Sequence, residues 1–274
     1  MIRREESDSM WLIHQAAHAY VAGQLAEHWV GNGSMPITPR EEVILAAYAH
    51  DSGWAAAEQA PSINRYGQPS TFTEMGLEEH ITIWNRSVET VFAQNRYAAL
   101  LVSLHCTALY EQRLRYVDDP PAQKTRIREF VADRHAWEQR LIAALAPHPR
   151  YGLAVQPAQL ALNLRLLQVW DYLSLLVCMG PVFEQTLEDV PLEAEERAIL
   201  RVAANGPRGL AIDPYPLDQP LSVWIDARPI VEGPFGSVEA FRERLAEMAY
   251  KPLMFEFEPL SGANGRSAQG FRSR

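Results

Sequence analysis

Apolar residues recur at helical spacing along most of the chain. Between about Ser9 and Trp29 they repeat every three or four residues, and the sequence GNGSMP then breaks the pattern. Thr38, Pro39 and Glu41 are typical of an N-cap, a first helical position and a capping box, and they predict a second helix through VILAAYAHDSGW. The chain therefore begins with two predicted helices.

Further helices are expected after loops rich in turn-forming residues. The pattern predicts them at about 73–95, 97–116 and 122–145. Pro157 opens another helix, which is apolar on most of its circumference and is therefore expected at the centre of the molecule. The segment LEAEERAIL is predicted as one more short helix. Together these elements favour a mainly α fold.

The pattern changes after the sequence NGPRG. LSVWIDARPIV and PLMFEFEPL alternate or cluster β-forming residues, whereas SVEAFRERLAEMA between them has the period of an amphipathic helix. We therefore expect a helical domain at residues 1–205 and a small α+β extension at 206–260. Residues 261–274 have little apolar content and are predicted to be a flexible tail.

Composition narrows the class of protein. The 274 residues are 47% apolar, and 34 acidic against 25 basic residues give a net charge of −9, which argues against binding to a nucleic-acid polymer or an anionic membrane. Cys106 and Cys178 lie in apolar runs without zinc-type spacing, and neither a signal-peptide pattern nor a membrane-spanning run is evident. We expect a cytoplasmic protein with a small-molecule partner. The sequence does not decide between a monomer and a homodimer.

Several imidazoles and carboxylates interrupt the apolar helices at positions where buried residues are expected. They are His18, the adjacent His50 and Asp51, His80, His105 and Asp171. A single histidine on an apolar helix face is more often an ordinary core residue, but here five helical segments each contribute such a group. Imidazole nitrogen and carboxylate oxygen suit ions such as iron, manganese, zinc or nickel. Neighbouring residues point about 100° apart on a regular helix, so a loosened helix end at DSG is needed for His50 and Asp51 to converge.

The order of these residues resembles the HD-domain superfamily of metal-dependent phosphohydrolases, which is named after a His-Asp doublet. With the two additional histidines, it is similar to the subset that binds two metals, and the intervals of 32, 30, 25 and 66 residues from His18 to Asp171 are more specific than the dipeptide alone. The segments QAAHAYVAGQLAEHW, AYAHDSGW, LLVSLHCTALY and QVWDYLSLLVC are similar to an uncharacterised bacterial family near the HD proteins, known only as a domain of unknown function. The resemblance implies an HD-like helical bundle with a small C-terminal α+β extension.

The resemblance also implies one or two divalent transition-metal ions. In the two-ion arrangement, Asp51 bridges the ions, and His18, His50 and Asp171 complete one site. His80 and His105 complete the other, so that Asp51, His80 and His105 take part in catalysis. In the one-ion arrangement, His80 and His105 instead support the ligands or bind the substrate.

Hydrolysis of a phosphoester by metal-activated water is the function that we expect, on a small metabolite or nucleotide. Two alternatives stay open. An HD-type diiron oxygenase acting on a small molecule uses the same kinds of ligands, and a metal-binding protein without catalytic activity uses them too. Metal identity and oxygen consumption distinguish the hydrolase from the oxygenase.

Contacts to the substrate are harder to assign. Trp54 stands where many two-metal HD hydrolases carry a lysine, and the only two lysines of the chain lie elsewhere. Arginine is therefore expected to contact phosphate, and Arg165 and Arg86 are the candidates. Gln168, one turn before Asp171, is expected to reach the site, and Trp54 is expected to form part of its wall.

Overall fold

The protein combines helices with a large sheet. Within the residues that the computed structural model describes, about 50% of the chain is helical, and a seven-stranded mixed sheet curls into a half-barrel. The fold is therefore α+β, and the predicted mainly α, HD-like bundle is wrong. The described residues are 1–6, 9–33, 35, 37–180, 182–193, 197–231 and 233–260.

The long helices lie close to the predicted positions. They are α1 (Gln15–His28), α2 (Arg40–Ala49), α3 (Trp54–Ala57), α4 (Leu77–Phe92), α5 (Arg96–Tyr116), α6 (Pro121–Leu145), α7 (Pro157–Met179) and α8 (Val238–Glu247). Pro39, rather than the predicted Thr38, occupies the N-cap position of α2. Helices α1, α2, α5 and α7 pack against one another, and α4 and α6 flank α5.

The strands of the described residues form one sheet. They are β1 (Ile2–Glu6), β2 (Ser9–Ile13), β3 (Gln185–Pro191), β4 (Arg197–Ala204), β5 (Gly209–Asp213), β6 (Leu221–Ile230) and β7 (Lys251–Pro259). Their order is β1-β2-β6-β7-β5-β4-β3, and only the β5–β7 pair is parallel. Helices α1 and α7 contact strands of this sheet, so the central helices lie between the sheet and the outer helices.

The N-terminal strand β2 replaces the start of the first predicted helix. Trp11 packs into the main hydrophobic core, whereas Leu12 packs into a second cluster with Phe241, so both faces of the strand are covered. Consecutive apolar residues are expected in a strand that is buried on both faces. Such a run lacks the alternation of apolar and polar residues that indicates a strand. Because it continues directly into α1, the whole segment was predicted as one helix.

The region of strands β3 and β4 is the second one in which the predicted secondary structure is wrong. LEAEERAIL was predicted as a short helix, but its described C-terminal part lies in β4. Leu200 and Val202 are buried there, while Ile199 and Arg201 are exposed, which is the two-residue period of a half-buried strand. The alternation begins only after a charged stretch, and that stretch suggested a helix.

The two ends of the described chain meet in the sheet. Strand β2 pairs with β6, with Leu12 opposite Arg228, so the N-terminal hairpin joins the predicted α+β extension. The boundary predicted at residue 205 falls between the neighbouring strands β4 and β5. The tail predicted at 261–274 lies outside the described residues.

Helix α7 is central, as its apolar circumference predicted. By length and composition alone it is long and apolar enough to cross a membrane, but 56% of the relevant window is buried inside the molecule. Its contacts with α1, α2 and α5 place the residues around Asp171 among three other helices. This position is where the candidate site is built.

Candidate metal centre

His50 and Asp51 lie directly after the last residue of α2, where the regular helix gives way to a turn. Gly53 follows, and its N–H donates to Ser87 Oγ of α4 at 2.9 Å. A Cβ atom on Gly53 would lie 2.1 Å from the carbonyl oxygen of Ile83, so only glycine permits this approach to α4. The turn frees the two consecutive side chains from helical geometry, and both are buried and point to the same cluster.

Four ligand atoms from α1, α7 and the turn after α2 converge at one point. His18 Nε2 lies 3.3 Å from His50 Nε2, 3.6 Å from Asp51 Oδ2 and 3.0 Å from Asp171 Oδ1. His50 Nε2 lies 3.7 Å from Asp51 Oδ2 and 3.4 Å from Asp171 Oδ1. An ion bound at about 2.1 Å separates its ligand atoms by about 3.0 Å in an octahedron and about 3.4 Å in a tetrahedron. Three of the five observed distances fall in this range, and the two that involve Asp51, at 3.6 and 3.7 Å, lie slightly above it.

Hydrogen bonds fix the orientation of both imidazoles. His50 Nδ1 lies 2.8 Å from the carbonyl oxygen of Ala47, which can only accept, so Nδ1 carries the proton. The Ser174 hydroxyl donates to the carbonyl oxygen of Asp171 at 2.7 Å and therefore accepts from His18 Nδ1 at 2.8 Å. In both rings the lone pair is then on Nε2 and points into the cluster.

This donor set fits a divalent cation. Two Nε2 lone pairs and two carboxylates face each other, and neither imidazole can donate to the other while both Nδ1 atoms hold their protons. Buried groups of this kind need a positive charge between them. Two groups of three residues share His50, namely His18 with His50 and Asp51, and His50 with His105 and Asp171. Within each group the ligand atoms lie within 4.8 Å of one another.

The acid–base properties of the cluster point the same way. Burial by itself would lower the pKa of His50, but the negative charges of Asp51 and Asp171 outweigh it and raise the pKa to about 9. Burial raises the pKa of Asp51. Burial would also raise the pKa of Asp171, yet the adjacent His105, His18 and His50 hold it well below its usual range. Each shift reflects the same requirement for positive charge at the centre.

His105 approaches the cluster from α5. Its Nε2 atom lies 3.4 Å from Asp171 Oδ2, the oxygen that does not face His18 and His50. Its Nδ1 atom is buried and has no hydrogen-bond partner in the described part of the chain. Asp171, rather than the predicted Asp51, therefore occupies the central position between His105 and the other imidazoles.

His80 is not brought into the ligand cluster. Its Nδ1 atom lies 3.0 Å from the Tyr110 hydroxyl, and its ring lies among Trp54, Trp84 and Tyr110 at centroid distances of 5.7, 6.0 and 5.8 Å. Burial, together with the positive charge of Arg113, lowers the pKa of His80 to about 4. His80 is therefore a neutral group outside both ligand groups.

His14, one turn before His18, is also engaged elsewhere. Its Nδ1 atom lies 2.9 Å from Glu58 Oε2, and its Nε2 atom lies 3.0 Å from the Tyr250 hydroxyl. Both ring nitrogens are thus occupied outside the cluster. Of the two histidines at the start of α1, only His18 faces the other ligands.

Residues 1–232 match a family model described as "Protein of unknown function (DUF3891)". The chain belongs to this family. No curated protein and no solved structure matches the chain. The predicted resemblance to the HD-domain superfamily is wrong, because the match is to DUF3891 and the large curled sheet is foreign to the HD helical fold.

In this DUF3891 member, a small cavity of about 130 Å³ opens beside the ligand cluster. Its walls include Trp54, as predicted from the sequence, together with Trp84, Phe72 and His80. Gln15 also lines it, and the buried Oε1 atom of Gln15 has no hydrogen-bond partner within the described residues. The cavity therefore combines aromatic walls with an unpaired polar atom close to the ligands.

The other predicted substrate contacts separate into two groups. Arg165 and Gln168 line a second, larger space of about 510 Å³, which also reaches His105 and Asp171. Arg86 is exposed on α4 and lines neither space. Sequence reasoning missed Ser174, although its spacing of three residues from Asp171 places it on the same side of α7.

Proposed function

We propose that this protein is a metal-dependent hydrolase of a small-molecule phosphoester. One divalent transition-metal ion would be held by His18, His50, Asp51 and Asp171. The observation that carries the proposal is the set of five distances between 3.0 and 3.7 Å among the four ligand atoms. Two nitrogen and two oxygen donors favour zinc, manganese or iron over magnesium or calcium, which prefer oxygen.

The burial pattern supports a catalytic rather than a purely structural ion. The side chains of His18 and His50 are each 1% exposed, whereas that of Asp171 is 12% exposed. Both imidazoles and both carboxylates line the cavity, and Asp171, the most exposed of the four side chains, also lines the larger cleft. A metal site that is open on one side leaves positions for water and substrate.

The bound ion would supply Lewis acidity and would lower the pKa of a coordinated water. The protein contributes orientation, because Ser174 and the Ala47 carbonyl hold the two imidazoles with Nε2 towards the ion. His105 lines both the cavity and the cleft, and its Nε2 atom next to Asp171 can pass a proton to or from the substrate. Trp54 and Trp84 limit the access of bulk water on the cavity side.

The geometry favours one ion over two. A second ion between Asp171 Oδ2 and His105 Nε2 would have only these two protein ligands, 3.4 Å apart, among the described residues, because His80 belongs to neither ligand group. Stable transition-metal sites in proteins generally use at least three protein ligands. We therefore assign His105 to proton transfer and leave His80 to the cavity wall.

The test combines metal content with hydrolysis. Protein purified without an affinity tag is stripped with a chelator and reloaded with zinc, manganese or ferrous iron. The bound metal is counted per chain, and hydrolysis of p-nitrophenyl phosphate and bis(p-nitrophenyl) phosphate is measured. We expect one ion per chain, activity that returns with metal, and loss of both in Asp51→Asn. His105→Gln is expected to keep the ion and to lower kcat at least 100-fold.

A matched control is His148→Ala, since His148 is an exposed histidine outside the site. It should retain metal and activity. Absence of bound metal from the reloaded wild-type protein would overturn the proposal. Oxygen consumption by the iron form without any phosphoesterase activity would overturn the hydrolysis and retain only the metal centre.

A further inference from the structure

The cleft between α5 and α7 connects the ligand cluster to the surface. It has a volume of about 510 Å³, within the range of small-molecule sites, and His105 and Asp171 form its inner end. Arg115, Gln112 and Arg165 also line it. An open space that is continuous with the cluster and carries two arginines is a candidate for the rest of the substrate.

Arg165 is fixed by strand β3. Its Nε atom donates to the carbonyl oxygen of Asp189 at 3.0 Å, and Nη2 donates to that of Glu188 at 2.6 Å. Its Nη1 atom donates to Gln168 Oε1 at 3.4 Å. A guanidinium has five N–H donors, so two remain for a ligand. The Asp189 carboxylate is 3.7 Å away and 67% exposed, so it offsets the charge of Arg165 only in part.

Arg115 provides a second cation. It is exposed on α5, and no hydrogen bond or ion pair joins its side chain to another described residue. Glu111, the nearest acidic residue along this face of α5, is engaged by His135 at 3.0 Å. In a chain with a net charge of −9, an unpaired arginine in a cleft that leads to the site favours an anionic ligand.

Helical geometry separates these arginines from the reacting bond. Arg165 lies six residues before Asp171, which is about 9 Å along the axis of α7, and Arg115 lies ten residues after His105, which is about 15 Å along α5. The contacts of Tyr97 with Asn163 and of His105 with Asp171 show that α5 and α7 run in the same direction, so the two arginines lie on opposite sides of the ligand cluster. Arg165 is held on its side by β3. Arg115 is too far along α5 to hold a phosphate that is cleaved at the cluster, so it must contact a different part of the substrate.

We propose that the substrate is an elongated small molecule with a second anionic group, a phosphate or a carboxylate, remote from the cleaved ester. This inference rests on the proposed function, because the ligand cluster defines the reacting end. Arg115 binds the remote anion, and Gln112 offers an amide group on the same side of the cleft. The distance between the two ends selects chain length, and a short phosphomonoester lacks the second contact.

The experiment uses two ligands that the enzyme cannot hydrolyse, because their phosphorus is bonded to carbon. Hexylphosphonate has one anionic end, and hexane-1,6-bisphosphonate has one at each end of the same six-carbon chain. Their dissociation constants are measured by calorimetry with zinc-loaded and metal-free protein. We expect the bisphosphonate to bind zinc-loaded wild type at least 10-fold more tightly than hexylphosphonate. In Arg115→Gln this ratio should fall to about 2-fold or less.

Arg128→Gln is the matched control, since Arg128 is an exposed arginine on α6 that does not line the cleft. It should keep the wild-type ratio. Equal affinity of the two ligands in the wild type, or a ratio that survives in Arg115→Gln, would overturn the proposal. Failure of the proposed function has a different signature: hexylphosphonate affinity would then be the same with and without zinc, whatever the ratio.

Discussion

The hydroxyl oxygen of Ser174 lies 2.8 Å from Nδ1 of His18. Because the same hydroxyl donates to the carbonyl oxygen of Asp171 at 2.7 Å, its acceptor role towards His18 is determined. Ser174 thus sets the tautomer of the ligand His18, and it lies on α7, the helix that carries the ligand Asp171. The arrangement couples the orientation of His18 to the local geometry of α7.

Replacing Ser174 with alanine is expected to weaken metal binding by about 10–100-fold, since His18 would lose the partner that fixes its tautomer. The affinity is measured by competition with a chromophoric chelator. Ser103→Ala is the control, because Ser103 is a buried serine bonded to Glu138 at 2.6 Å and does not contact the cluster. Equal metal affinities of the two variants would contradict the role given to Ser174.

His80→Gln should still bind one ion per chain, whereas His50→Gln should bind none. The reason is geometric, because His80 belongs to neither ligand group of the described residues. Metal is counted by elemental analysis after dialysis. A wild type with two ions and a His80→Gln variant with one would show that His80 is a ligand.

Gly53→Ala is expected to destabilise the protein by about 3 kcal/mol and to reduce metal occupancy. The new methyl group would lie 2.1 Å from the Ile83 carbonyl oxygen and 2.6 Å from the Ser87 nitrogen, so α4 and the His50–Asp51 turn must separate. Urea unfolding measures the change. Gly76→Ala introduces the same methyl group where nothing lies within 4 Å, and its free energy of unfolding should stay within about 0.5 kcal/mol of wild type.

A pH-dependent contribution to stability is expected from Glu6. Hydrogen bonds from Arg208, at 2.7 and 2.6 Å, outweigh the burial that would raise its pKa and, with Arg4, lower the pKa to about 2 from the usual 4.5. The folded-state value is the lower one, so the stabilisation is complete above pH 4.5 and is lost as the pH falls towards 2.

Glu6→Gln removes this titration. The stability difference between wild type and variant should be about 1 kcal/mol at pH 6, since the pair is partly exposed to solvent, and should shrink on acidification. Thermal unfolding of both proteins across this pH range provides the measurement. A stability difference that is independent of pH would show that the contacts with Arg208 and Arg4 do not lower the pKa of Glu6.

The meeting of His18, His50, Asp51 and Asp171 followed from a local signal. Each is a polar residue in an otherwise apolar helical stretch, and such residues are buried only where partners compensate them. His80 carried the same signal, but its partner is a tyrosine hydroxyl, and no sequence spacing distinguishes that partner from an ion. Asp171, rather than Asp51, lies between His105 and the other imidazoles because of the directions of these side chains, which sequence spacing does not reveal either.

The sheet was the larger omission. Its strands were recognised at β6 and β7, where β-forming residues alternate or cluster, but not at β1, β2, β3, β4 or β5. The pairing of Leu12 with Arg228 joins segments that are more than 200 residues apart, and local periodicity carries no information about such a partner. The fold class was therefore misjudged although the long helices were placed correctly.

That pairing has a consequence for biosynthesis. Trp11 and Leu12 leave the ribosome early, but strand β6, which pairs with both, and Phe241, which packs with Leu12, are made more than 200 residues later. Until β6 has been synthesised, the apolar side chains of the N-terminal hairpin stay exposed beside the nascent helices. Such long-range pairing slows folding and favours association with chaperones. A gene truncated near residue 205 would leave this hairpin permanently without its partner strand, and the product is expected to aggregate rather than to persist as an independent helical unit.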